Sequence, residues 1–144
     1  MGFFESKNED FIIIAGCGNL GSSLAASMAG QGIVIIDKNK DAFSKLPLTF
    51  EGAGIIGDAA EVFIMNNIRI EKAEAVVSTT GNDNTNILIA LIAKTCYHTP
   101  FVTISLHAPE RERVCRELGI NIVYPGRVTA KAINDFFHVN VDVR

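Results

Sequence analysis

Apolar residues along this chain gather into short runs that do not alternate with polar ones. Phe11–Ala15, Ile33–Ile36, Ala53–Ile56, Ala75–Ser78, Phe101–Ser105 and Asn121–Val123 form six such runs, most of them rich in isoleucine and valine. A strand that is apolar on both faces belongs in a parallel sheet covered by helices on each side. Between the runs, the spacing of apolar residues predicts helices over Asn19–Ala29, Ala59–Asn67, Asp83–Cys96 and Pro109–Leu118. A weaker helix over Lys40–Leu46 stops before Pro47, since the residue ahead of a proline is driven out of helical geometry. Strands alternating with helices imply right-handed crossovers, and so an α/β fold of the doubly wound, Rossmann type with six parallel strands. After the sixth strand, Pro125-Gly126 turns the chain into a last helix with an apolar face of Val128, Ala132, Ile133, Phe136 and Phe137. With no internal repeat or low-complexity linker, one domain is expected over residues 11–138, between a lead at 1–10 and a tail at 139–144.

Bulk properties narrow the function. The chain of 144 residues is 48% hydrophobic and 20% charged, enough for one globular core. Its formal charge of −3 provides no basic surface for a nucleic-acid backbone, so nucleic acid is not an expected partner. The first ten residues lack an apolar run of signal-peptide length. No apolar stretch reaches the roughly 20 residues needed to cross a bilayer. The expectation is a cytoplasmic protein that reaches a membrane only through a partner. Cys17, Cys96 and Cys115 follow neither disulfide nor zinc spacing and read as free thiols; Cys17 is the one a helix N-terminus would sensitise to oxidation. His98, His107 and His138 are scattered singly.

The chemistry lies in the segments that follow the strands. Gly16-Cys17-Gly18-Asn19-Leu20-Gly21 comes directly after the first strand and opens the first helix. In that context Gly16 permits a tight turn, Gly18 lets a diphosphate approach the backbone, and Gly21 lets helix and strand pack closely. The helix N-terminus adds free N–H groups and positive potential. Asp37 ends the second strand about 20 residues further on, where the ribose-binding acid of such a site is expected. A carboxylate there favours NAD(H), AMP, ADP or ATP over a 2′-phosphorylated cofactor, although Lys38 and Lys40 weaken the exclusion. Asp58, in Gly57-Asp58-Ala59, is either a helix cap or a carboxylate facing the adenine, the cap being the ordinary role. Thr79, Thr80 and Gly81 follow the fourth strand at the same sheet edge, where ligands bind in this architecture. The binding set is therefore Gly16 to Gly21, Asp37, Lys38, Asp58, Ala59 and Thr79 to Gly81, with no catalytic or metal-binding residues.

In this order the motifs resemble the RCK/KTN family of TrkA N-terminal-like domains, nucleotide-binding regulators of potassium channels and of Trk/Ktr potassium uptake. The resemblance rests on the glycine loop, Asp37-Lys38, Gly57-Asp58-Ala59, the Thr80-Gly81-Asn82-Asp83-Asn84-Thr85-Asn86 segment and Ala108-Pro109-Glu110. It implies a domain that responds to NAD(H) or adenine nucleotides, self-associates as a dimer or larger ring, and acts on a membrane potassium transporter at the inner face of the membrane. Asn19 and Ser105 stand where relatives often carry arginine. No cation for a third phosphate is evident, and ATP is expected to gain little over AMP.

Two enzyme classes fit poorly. Short-chain dehydrogenase chemistry needs a Tyr-x-x-x-Lys pair, but Phe101 follows Tyr97 at that spacing and Val128 follows Tyr124. Phosphoryl transfer needs a Gly-Lys in its phosphate loop, and the chain has none. A regulator of another ion antiporter is the alternative within the same class.

Overall fold

The computed structural model describes residues 10–28 and 30–142. Six parallel strands form one sheet in the order β3-β2-β1-β4-β5-β6. They are β1 (Phe11–Ala15), β2 (Gly32–Asp37), β3 (Ala53–Ile56), β4 (Ala73–Ser78), β5 (Phe101–Ser105) and β6 (Asn121–Val123). The helices are α1 (Asn19–Ser27), α2 (Val62–Asn67), α3 (Asp83–Leu91), α4 (Glu112–Glu117) and α5 (Pro125–Asp142). The strand order reverses beside β1. The doubly wound fold is thus the one the apolar runs predict, with its switch point next to the glycine loop.

The runs lack alternation because both faces of the central strands are covered. Ile13, Ala15, Val34, Ile36, Val76 and Ile104 pack with Met65 of α2, Ile89 and Ala90 of α3 and Cys115 of α4. On the other face Ile12, Ile14, Ile33 and Ile35 pack with Ala25 of α1 and with Ala42. That second layer stops short: of the far strands, only Ala75 and Val77 of β4 reach it. Phe101 of β5 is 64% exposed and Val123 of β6 39%.

Several element boundaries differ from the sequence expectation, each for a local reason. The helix expected from Ala59 begins at Val62, because the Asp58 side chain accepts from the Ala60 N–H and closes a turn instead. Lys40–Lys45 winds as a 3-10 helix, started by the Asn39 side chain accepting from the Asp41 N–H. The helix expected over Asp83–Cys96 does run that far, but its last turn, Ile92–Cys96, is a π-helix. Pro109–Arg111 is a separate 3-10 turn ahead of α4. β2 and β4 each start before the apolar run predicts, at Gly32 and Ala73. Finally, α5 passes residue 138, where a tail was expected, since Val139–Asp142 holds neither glycine nor proline. Its residues Arg127–Val139 are exposed, and among the described residues it makes no extensive packing with another element. No helix among the described residues is long and apolar enough to cross a membrane.

Candidate functional site

The carboxyl ends of β1, β2, β3 and β4 converge on one cavity of about 280 Å³. Its shape starts with the glycine loop. Gly16 continues the sheet by donating its N–H to the Ile36 carbonyl at 2.7 Å, then turns at φ +100°, a conformation that side chains oppose. α1 then crosses so close that a Cβ on Gly21 would stand 1.9 Å from the Gly16 oxygen. Gly18 differs from both. Its backbone (φ −76°, ψ −165°) suits any residue, and a Cβ there would meet nothing within 4 Å. It caps α1 without a side-chain hydrogen bond, and no acidic residue stands in the first turn. The N–H groups that open the helix therefore have no intrahelical partner.

Asp37 ties β2 to this loop. One carboxylate oxygen accepts from the Cys17 N–H and the other from the Asn39 N–H, both at 2.8 Å. Each oxygen keeps a further lone pair for a ligand. Across the mouth, Lys38 Nζ meets Asp58 Oδ2 at 3.2 Å, with the lysine side chain 69% exposed. Such an exposed pair contributes at most about 1 kcal/mol, so it can open for a ligand. The other Asp58 oxygen holds the Ala60 N–H, which is the capping role expected, applied to a turn rather than to the helix.

The β4 side is organised by a residue whose role the sequence did not reveal. Asn86, fully buried on α3, accepts from Ser78 Oγ (2.8 Å) and from the Thr80 N–H (2.9 Å). Its amide donates to the carbonyls of Thr80 and Ser105, both at 3.0 Å. Thr79-Thr80-Gly81 is thus locked from beneath. Ser105, buried against Asn86, belongs to that lock and does not line the cavity. A second clamp lies alongside, where Asp83 accepts from the N–H groups of His107 (3.0 Å) and Ala108 (2.9 Å) and contacts the His107 ring at 3.1 Å. Burial works against ionising Asp83, but those N–H groups and the imidazole outweigh it and hold the carboxyl below its ordinary range.

Of the expected site residues, Gly16, Gly18, Asp37, Lys38, Asp58, Ala59, Thr79, Thr80 and Gly81 line the cavity. Cys17, Asn19, Leu20 and Gly21 do not. Asn19 and Leu20 are exposed at the start of α1, and Gly21 is buried inside it. The Cys17 side chain is buried, with its sulfur 3.5 Å from the Ala42 carbonyl. Burial and the neighbouring Asp37 charge push its thiol above the ordinary range, the reverse of the sensitisation expected from the helix end. Gly57 and Asn82, from the two segments expected to converge on the glycine loop, complete the lining together with Ile36, Thr85 and Ile89, which were not foreseen. No local sequence signal marked Asn86, which ends the polar run Asn82 to Asn86 ahead of the apolar part of α3.

The TrkA-N domain model matches residues 12–125. The chain belongs to the TrkA-N family. Among curated relatives, the Trk system potassium uptake protein TrkA of Streptomyces coelicolor is 32% identical over 121 residues, which is 83% of this chain and 54% of that protein. This TrkA-N domain thus spans about half the length of that relative. Among solved structures, the TrkA-N domain of the inner membrane protein ybaL from Escherichia coli superposes with a TM-score of 0.76 at 19% identity, covering 88% of this chain and 95% of that one. The GsuK channel bound to NAD gives 0.65 at 15% identity, over 82% and 22% of the two chains. The AMP-bound C-terminal domain of Kef from Shewanella denitrificans gives 0.68 at 16%, over 89% and 80%. At these identities the likeness establishes a shared fold.

Three outcomes follow from the site's construction. Gly21→Ala forces α1 off the Gly16 carbonyl and should cost about 1–3 kcal/mol or more in urea unfolding. Gly18→Ala should change stability by no more than about 0.5 kcal/mol. Because Asp83 is acidified by folding, its contribution is full above the ordinary carboxylate range and is lost as pH falls through its lowered value. Asp83→Asn should therefore lose stability at neutral pH and flatten the acid limb of the stability curve.

Proposed function

We propose that the cavity holds the adenosine and the phosphate or diphosphate of NAD(H), or of AMP, ADP or ATP, and that the domain regulates a potassium-transporting membrane partner rather than catalysing a reaction. Gly18 carries this reading. The fold needs Gly16 and Gly21, yet Gly18 faces open cavity with an ordinary backbone, and an approaching ligand accounts for the missing side chain. A diphosphate seated there would take the free N–H groups of Asn19, Leu20 and Gly21 and the positive end of α1. Asp37 would accept the ribose hydroxyls with its spare lone pairs, and Lys38, Asp58 and Ala59 would flank the adenine side. Thr79, Thr80 and Gly81 close the opposite wall. The relatives' names support the assignment: potassium uptake for TrkA, and an NAD-bound channel among the solved structures. Regulation then works as a population shift, in which the nucleotide binds one arrangement of the protein better than another and the partner senses which is present.

The same reading includes self-association. α5 presents Val128 (59%), Ile133 (61%), Phe136 (72%) and Phe137 (71%) to solvent, while the sheet is bare over β5 and β6 on one face. Two incomplete apolar surfaces of this kind are satisfied together when a second copy docks. The domain acts in the cytoplasm, at the inner face of the membrane through its partner.

Calorimetry tests the nucleotide. NADH should bind more tightly than NADPH by a factor of ten or more, since hydrogen bonds to a charged group are worth about 1.5–3 kcal/mol. Equal affinities would mean that Asp37 does not read the ribose. Gly18→Ala should weaken binding without lowering Tm, and unchanged affinity would remove the observation on which the reading stands. For assembly, sedimentation at tens of micromolar should show at least a dimer, and Phe136→Asp should give monomers; a wild-type monomer contradicts this part.

A further inference from the structure

The nucleotide cavity does not end at Gly81. A second, more open groove of about 390 Å³ begins there, sharing Gly81 and Asn82 with the first, and is lined further by Asp83, Asn84, His107 and Arg111. Complete sites for small ligands usually enclose about 300–1,000 Å³, so the first cavity, at about 280 Å³, is small for anything longer than a mononucleotide. The passage between the two runs over Gly81, where an added Cβ would meet nothing within 4 Å and φ is not positive. As at Gly18, the fold itself does not call for glycine.

The groove's chemistry is that of an anion site. Asp83 also faces it, but its oxygens already accept from the His107 and Ala108 N–H groups. Arg111 is exposed and has no ion-pair partner among the described residues. Asn84 adds an amide donor and His107 the Nε2 edge of a ring whose Nδ1 already contacts Asp83, while Asn82 Oδ1 is occupied by the Thr85 N–H and leaves its amide nitrogen free to donate.

We propose that this groove receives the terminal phosphates of a nucleoside triphosphate whose adenosine occupies the first cavity, with Arg111 as their cation. The assignment rests on the nucleotide reading above. It replaces the sequence expectation that ATP gains little over AMP: that expectation came from Asn19 and Ser105, whereas the structure brings a guanidinium from the Pro109–Arg111 turn. Guanidinium matches phosphate through paired, charge-assisted hydrogen bonds.

Calorimetry with AMP and ATP on the full chain decides it. Wild-type protein should bind ATP at least tenfold more tightly than AMP, and Arg111→Ala should reduce that ratio below threefold. Arg113→Ala, on exposed α4 and paired with Glu117, should leave the ratio as in wild type. An ATP-to-AMP ratio near one in wild type overturns the groove assignment, as does a high ratio that survives Arg111→Ala. Failure of both nucleotides to bind overturns the underlying nucleotide reading instead.

Discussion

How closely α1 approaches the end of β1 sets the rest of the site. With 1.9 Å between a hypothetical Gly21 Cβ and the Gly16 oxygen, only glycine lets the helix begin where it does. That position points the unpartnered N–H groups of α1 toward the ends of β2 and β4. It also brings the Cys17 N–H to the Asp37 carboxylate, so the acid at the end of β2 is held by the same loop that opens the helix. A helix displaced by one side chain would lose both the approach and the tether. The tight packing that creates the site is therefore purely internal, and it leaves Gly18 facing the open cavity.

The opposite wall is fixed by buried polarity rather than by close packing. Asn86 is fully buried, and its amide is satisfied by Ser78 and Thr80 at the end of β4 and by Ser105 at the end of β5, two segments that would otherwise be joined only through the sheet. A buried amide with its partners removed costs about 1–3 kcal/mol, so the arrangement is held in one geometry. Asp83 extends the same logic one turn earlier and binds the loop after β5. The wall against which a nucleotide would rest and the loop that carries Arg111 are thus mechanically joined.

Much of this was legible in the chain. The apolar runs located all six strands; in β1 and β2 burial on both faces leaves no polar positions to alternate, while β3, β5 and β6 are apolar runs with one face partly open. The glycine loop and Asp37 were readable because each needs a particular residue at a particular distance along the chain. What the sequence hid were relations between distant segments. Nothing local distinguishes Asn86 as a hub, since its partners lie on β4 and β5. The buried state of Cys17 follows from Ala42, on the far side of β2, and reversed the direction expected for its thiol. Helix starts were misjudged where a side chain preferred a turn, as at Asp58, which reads as a helix cap until its hydrogen bond to Ala60 is seen.

The proposed adenine nucleotide lies across Gly18, between Asp37 and Gly81. Amide chemical shifts of isotope-labelled protein, followed during titration with AMP, test it residue by residue. The largest changes should fall in Gly16 to Gly21, at Asp37 and Lys38, and in Thr79 to Gly81, with the Ala25–Gly32 end of the domain unaffected. Changes concentrated elsewhere, or a spectrum indifferent to saturating nucleotide, would contradict it.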